Sequence, residues 1–167
     1  DTSRFLLERF MCDTVYSDKK LQNIINKQKE YKKKEMPHIC LVIDDAIGDD
    51  SMKRNSLLTS TITRSRHWNM DIILSLQNFK SCPKTSRINL TMAMIGYPIP
   101  SQAMKKDLIE EFADNFVNGE EEYTRLYHEA TQKKRFNFMT IMLKENPIHV
   151  YRNFEEKIFP LGMDIVD

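Results

Sequence analysis

A chain of 167 residues, 29% charged and 41% hydrophobic, suits one ordinary globular domain with a substantial core. Its formal net charge of +1 excludes a global pull toward nucleic acid, so any such contact has to come from local patches. No apolar run approaches the ~20 residues of a membrane-spanning helix, and the opening DTSRFLLERF lacks the basic-then-apolar order of a signal peptide.

In chain order, residues 3 to 35 read as helical. Phe5, Leu6, Phe10 and Met11 mark a short first helix, and Ser17 or Asp18 caps a longer second one. Leu21, Ile24, Ile25 and Gln28 recur at helical spacing and give that second helix a face for the core. Lys27, Lys29, Lys32, Lys33 and Lys34 crowd its end, where cations complement the helix dipole. A solvated helix end accounts for such a run better than a nucleic-acid contact does.

Pro37 to Asp50, PHICLVIDDAIGDD, is the most informative stretch. Ile39 to Ile43 is apolar without alternation, as expected of a strand buried on both faces of a parallel sheet. Pro37 stands just outside its start, where a missing N–H costs little. Asp44 and Asp45 stop the run, and the carboxyl ends of strands in a parallel α/β sheet open onto the ligand crevice. One carboxylate there can hold Mg²⁺ through its water shell while its neighbour orients a water for attack on a phosphate, the logic of a Walker B strand. The plainer alternative is a buried strand that merely ends in a polar turn.

After a loop at Ile47 to Asp50, Ser51 is expected to start a helix through Leu57, Leu58 and Ile62 to about Arg66. Asp71 to Leu76 (DIILSL) follows as a second strand and ends on Gln77. Strand, helix, strand is a right-handed parallel crossover. It sets Gln77 beside Asp44 and Asp45, where a glutamine can sense a γ-phosphate or position the attacking water. Taken alone, Gln77 is an ordinary loop residue.

FKSCPKTSRIN (79–89) reads as a polar loop broken by Pro83, and TMAMIGY (91–97) as a third buried strand. Ser101 caps a helix with Leu108, Ile109, Phe112 and Phe116 inward, and Asn118-Gly119 stops it. Residues 120–134 form another amphipathic helix through Tyr123, Leu126 and Tyr127. FNFMTIML (136–143) and Ile148 to Tyr151 then make an edge hairpin around Glu145-Asn146-Pro147. The tail NFEEKIFPLGMDIVD is weakly patterned. Without repeats or a low-complexity linker, residues 1–167 are expected to be a single domain with no internal boundary.

Cys12, Cys40 and Cys82 fit neither a disulfide framework nor a CxxC knuckle. Cys40, inside the first strand, reads as a small buried hydrophobe, and a reducing, intracellular setting follows. His38, His67, His128 and His149 form no cluster, so a protein-built zinc site is not expected.

The string LVIDDAIG, a helix, and then TRSRHWNMDIILSLQNFKSCPKTSRINL resembles the second half of a viral genome-packaging ATPase, from the poxvirus-type and large DNA virus branch of the FtsK/HerA superfamily. FNFMTIMLKENPIHVYRNFEE is similar to that family's terminal hairpin, so the resemblance covers roughly residues 37 to 156. Three features in order carry it: an aspartate pair ending one strand, an Arg-His pair before the next, and a Gln ending that next strand. The resemblance implies an incomplete three-layer α/β fold of the P-loop NTPase type, with a mostly parallel sheet and a C-terminal hairpin. It makes Asp44 the Walker B acid for Mg²⁺, Asp45 the water-polarising base and Gln77 the sensor. Arg66 becomes an arginine finger reaching the nucleotide of a neighbouring subunit, with Arg64 a weaker substitute, and His67 completes the Arg-His pair. Arg87 and Asn89 match a polar motif that faces either nucleotide or DNA. On its own, Arg66 reads as a surface residue or a dipole complement.

ATP and Mg²⁺ are the cofactors so implied. The partners are double-stranded DNA, further copies of the chain in a ring, and a capsid or portal-like protein, in the host cytoplasm (the viral factory) or the virion. Lys80, Lys84 and Arg87 either face DNA or belong to a solvated loop, two cases separated by the salt dependence of binding.

One departure stands out. A phosphate cradle needs GxxxxGK followed by Ser or Thr. The four glycines lie at 48, 96, 119 and 162, none before such a pair, and Lys84-Thr85 in SCPKTS has no glycine near it. The Walker A half is missing. In the superfamily its strand lies beside the one carrying the sensor Gln, so its loss would expose apolar surface and unpaired backbone. The absence of an initiator Met suggests a processed or trimmed chain or a piece of a longer one. The favoured expectation is the C-terminal part of a longer ATPase; the others are a chain that pairs with a separate Walker A-bearing segment or chain, and a decayed relative. In each case isolated residues 1–167 are not expected to hydrolyse ATP. Two rival functions remain: an inactive ATPase-like assembly or scaffold protein, and a nuclease or phosphatase using a metal at Asp44 and Asp45.

Overall fold

In the computed structural model, which describes residues 16–44 and 55–160, the helical spacing of Leu21, Ile25 and Gln28 becomes the buried side of α1 (Asp18–Glu30). Ser17 occupies the N-cap position with extended backbone. Chain contacts gather into two compact units that divide after Gln77, where the sequence shows no change of composition.

In the first unit α1 is followed by β1 (Ile39–Ile43), α2 (Ser56–Arg64), a 3-10 turn at Ser65–Trp68 and β2 (Met70–Leu74). Asn55 caps α2: its side chain accepts from the Leu58 N–H at 2.8 Å and donates to Asp18 at 2.7 Å. The expected helix start at Ser51, the loop at Ile47 to Asp50 and the helix around Phe5 to Met11 lie outside the described residues. β1 and β2 pair in parallel, Ile39 opposite Met70 and Ile43 opposite Leu74, with α2 as the crossover.

Leu21, Ile25 and Leu58 pack with Ile43 and, less deeply buried, Leu41 and Leu74. Gln28 is 1% exposed, and its amide donates to the carbonyls of Pro37 (2.8 Å) and Trp68 (2.7 Å). One buried side chain thus ties α1 to the segments entering both strands.

Burial on both faces, the expectation for Ile39–Ile43, is not found among the described residues. Side chains alternate, so Leu41 and Ile43 meet the helices while Cys40, Val42 (60% exposed) and Ile73 (42% exposed) turn the other way. Among the described residues no layer covers that second face, and Cys40 is exposed rather than buried.

The second unit has a 3-10 turn (Phe79–Ser81), a short α3 (Lys84–Arg87), β3 (Met92–Gly96), α4 (Gln102–Phe112) and a 3-10 turn (Ala113–Asn115). Then come α5 (Gly119–Thr131), β4 (Phe138–Met142), β5 (His149–Arg152) and β6 (Glu156–Phe159). Its sheet is antiparallel throughout, in the order β3-β4-β5-β6. Ser101 caps α4, accepting from the Met104 N–H at 3.2 Å. Tyr123, Leu126 and Ala130 of α5 pack on Met139, Ile141 and Val150.

The described strands are therefore one parallel pair and one antiparallel sheet, a mixed α/β arrangement, rather than a mostly parallel sheet. β3 runs antiparallel to β4 and is half-buried rather than buried on both faces: Ala93 and Ile95 face the core while Met92 and Met94 face out. The tail contributes β6, so the expected hairpin of β4 and β5 is interior to the sheet. The expected loop 79–89 is partly helical. α5 stops at Thr131, short of 134, because Gln132 and Lys133 turn to positive φ (49° and 53°). No helix among the described residues is long and apolar enough to cross a membrane.

Candidate functional site

Parallel pairing sends the carboxyl ends of β1 and β2 to one edge of the first unit. The Ser75 N–H donates to the Ile43 carbonyl at 3.0 Å, which carries the pairing one step past both strands. Asp44 follows directly, exposed, and carries no ion pair among the described residues. Gln77 leaves the end of β2 at the same edge, also exposed. Asp45 lies outside the described residues.

The opposite edge holds the Arg-His pair. The Ile39 N–H donates to the Asn69 carbonyl at 3.0 Å, and the Asn69 side chain, on a residue with φ of 47°, donates to the Met36 carbonyl at 3.0 Å. Arg66 and His67 sit in the preceding 3-10 turn, exposed, with the Arg66 carbonyl accepting from the Asn69 N–H. A five-residue strand rises about 13 Å from first to last Cα, and that length of β2 separates Arg66 from the Asp44–Gln77 edge. Arg64, the last residue of α2, is likewise exposed. His38 and Asp71 make a 2.9 Å contact at this edge that sequence reasoning missed, visible only through the register of Cys40 with Asp71. Both side chains are exposed, so the contact contributes little stability.

The remaining candidates belong to the second unit. Arg87 reaches Glu111 of α4 at 2.6 Å and lies over the Phe79 ring, 5.3 Å from its centroid. Lys80 bridges Asp107 at 2.6 Å and Glu110 at 3.0 Å. Hydrogen bonds to Asp107 and then Glu110 hold its ammonium above the ordinary lysine range. The Asn89 amide donates to the Thr85 carbonyl at 2.8 Å, and Lys84 is exposed. Two of the three cations expected in this loop are therefore already matched by carboxylates of α4. Cys82 is buried beside them, and burial pushes its thiol up from the ordinary value.

No three His, Cys, Asp or Glu side chains converge as a metal cage among the described residues. Among the described residues Asp44 offers one carboxylate at the carboxyl edge of the strand pair.

These features define a mixed α/β protein with a carboxylate and a glutamine on the carboxyl edge of a parallel strand–helix–strand unit. The sequence profile of the Poxvirus A32 protein family, a family of viral genome-packaging ATPases, matches residues 12–108, more than half of the chain, and the chain belongs to that family. The match runs from before α1 into α4, so β4, β5 and β6 lie beyond it. Neither curated proteins nor solved structures gave a match.

Proposed function

We propose that the chain is the Walker B-bearing part of a DNA-packaging motor of the FtsK/HerA type, which couples ATP hydrolysis to moving double-stranded DNA into a capsid. The observation that carries this reading is the shared edge of Asp44 and Gln77, set by parallel pairing inside the segment that matches the family. Asp44 would hold Mg²⁺ through its water shell, and the ion would neutralise phosphate charge. Asp45 would take the proton of the attacking water, and Gln77 would position that water at the γ-phosphate. Arg66 lies a strand's length from this edge, which favours action on the nucleotide of a neighbouring copy in a ring over action on its own. Arg87 would have to exchange Glu111 before meeting nucleotide or DNA; Asn89 has no such ion pair to give up.

The apolar face of β1 and β2 that is exposed among the described residues supports the three-layer P-loop reading. Val42 and Ile73 suit a sheet covered on both sides, and the Walker A-bearing segment or chain would add both a strand and a covering layer. A capsid or portal-like protein would receive the motor.

The test is ATP turnover by the chain joined to, or mixed with, the segment carrying GxxxxGK and Ser or Thr. Asp45→Asn is expected to lower turnover at least 100-fold, in the range of losing a general base, with nucleotide binding kept. Retained turnover removes Asp45 from its role. If no such segment confers turnover, the scaffold reading takes its place.

A further inference from the structure

The loop joining α5 to β4 spends backbone energy on an exposed aromatic ring. Phe136 is 82% exposed and holds φ of 74°, a region bulky side chains rarely adopt. Strain of this kind persists where the surroundings enforce it and often marks a working surface. The Arg135 guanidinium lies 5.1 Å from the Phe136 centroid, and the ring still keeps most of its surface free.

Lys133, Lys134 and Arg135 are exposed, and none carries an ion pair among the described residues. Glu129, one turn before them on α5, is held by Arg125 at 2.8 Å, and Glu156 at the start of β6 by Arg152. The contrast is with Lys80 and Arg87, whose charges α4 already neutralises. Only cations free of such partners gain fully from displacing the counterions of a polyanion.

A second ring stands at the same end of the sheet. Phe154, 61% exposed, sits in the turn between β5 and β6 and meets Phe138 edge-on at 5.0 Å. Asn153 pins that turn to the start of β4: its N–H donates to the Phe138 carbonyl at 2.9 Å, and its side-chain oxygen accepts from the Phe138 N–H at 3.1 Å.

We propose that Lys133 to Phe136, with Phe154, form a binding surface for nucleic acid with unpaired bases, a single strand or a frayed end. Cations hold the phosphates while the exposed rings stack on bases, an arrangement that tolerates any sequence. A closed duplex hides its base faces, which is why the rings select an unpaired strand. This surface, built from the α5–β4 loop and the β5–β6 turn, does not need the ATP site proposed above.

The experiment is fluorescence anisotropy of a labelled oligothymidylate, and of a duplex of equal length, titrated with the 167-residue chain at several salt concentrations. The single strand is expected to bind more tightly than the duplex. Replacing Lys133, Lys134 and Arg135 together by Ala should flatten the log–log salt slope by about 2, at about 0.7 per lost phosphate contact. Phe136→Gly should weaken single-strand binding about tenfold, the scale of one lost stack. Glycine accepts the positive φ without strain, so this variant should match or exceed the wild type in urea midpoint. Absence of binding by the wild type overturns the proposal. So does unchanged affinity in both variants, which would move binding elsewhere, such as the lysine-rich end of α1. Equal or tighter duplex binding would overturn the choice of an unpaired strand.

Discussion

Gln28 does for the first unit what an apolar residue could not. A leucine there would fill the same space against Leu21 and Ile25, yet it would strand the carbonyls of Pro37 and Trp68. Those carbonyls belong to the segments that deliver the chain into β1 and β2, so their position sets where Asp44 and Gln77 emerge. Gln28→Ala removes both hydrogen bonds and leaves a small cavity. The expected cost is about 2–4 kcal/mol, from unsatisfied buried acceptors together with lost packing. Trp68, the single tryptophan, lies in one of the bonded segments and makes the urea transition readable by fluorescence. A loss below about 0.5 kcal/mol would mean that water satisfies both carbonyls and that the side chain does not act as a tie.

At the scale of elements, what the sequence showed depended on whether a signal was local. β1 was legible because ICLVI is an unbroken aliphatic run, and its partnership with β2 followed from the helix between them. The same kind of run misled at β3: outward Met92 and Met94 are apolar, so the alternation of an antiparallel strand was invisible in composition. β6 was hidden for the opposite reason. Its outward Glu156 and Lys157 are the charges that protect an edge strand from unwanted pairing, and they erase the apolar signal. Asp44 and Gln77 were legible because strand direction alone fixes their edge. The pairing of Arg87 with Glu111 was not, because it joins α3 to α4 across 24 positions of sequence and nothing local announces it.

That pair gives a prediction at the same scale. Arg87→Met is expected to cost about 1–3 kcal/mol in urea denaturation followed by circular dichroism, since it leaves the partly buried Glu111 uncompensated. Glu111→Leu in the same chain should restore much of the loss, as apolar replacement of a buried pair often does. Additive costs in that double-mutant cycle would mean the two side chains act independently, returning Arg87 to the candidates for ligand contact.

For the whole molecule, the buried titratable groups dictate how stability follows pH. Burial, and then the neighbouring Tyr127, push the Tyr123 hydroxyl far above the tyrosine range. Burial also raises Tyr127, which donates to the Gly96 carbonyl at 3.0 Å, and raises Tyr16, with Asp18 adding to the effect there. Cys82 is raised by burial as well. For each of these the unfolded chain gives up its proton first, so the stability they contribute is whole below the unfolded pKa and is lost as pH rises past it. The loss should begin near pH 8.5 with the thiol and steepen near pH 10 with the phenols. His128, an exposed residue of α5, works more weakly on the acid side. Partial desolvation, then Lys133 and Lys105, lower its pKa, so the unfolded chain takes up a proton first and stability falls slightly as pH drops through about 6.5. The urea midpoint is therefore expected to be flat between about pH 7 and 8.5 and to decline on both sides. Tyr123→Phe separates the contributions, because its hydroxyl is buried without a hydrogen-bond partner among the described residues. Removing it should leave neutral-pH stability unchanged or raise it by up to about 1 kcal/mol, and should make the alkaline decline shallower. An alkaline limb identical in the variant and the wild type would show that the Tyr123 hydroxyl reaches water in the folded chain, and the decline would then belong to Cys82, Tyr127 and Tyr16.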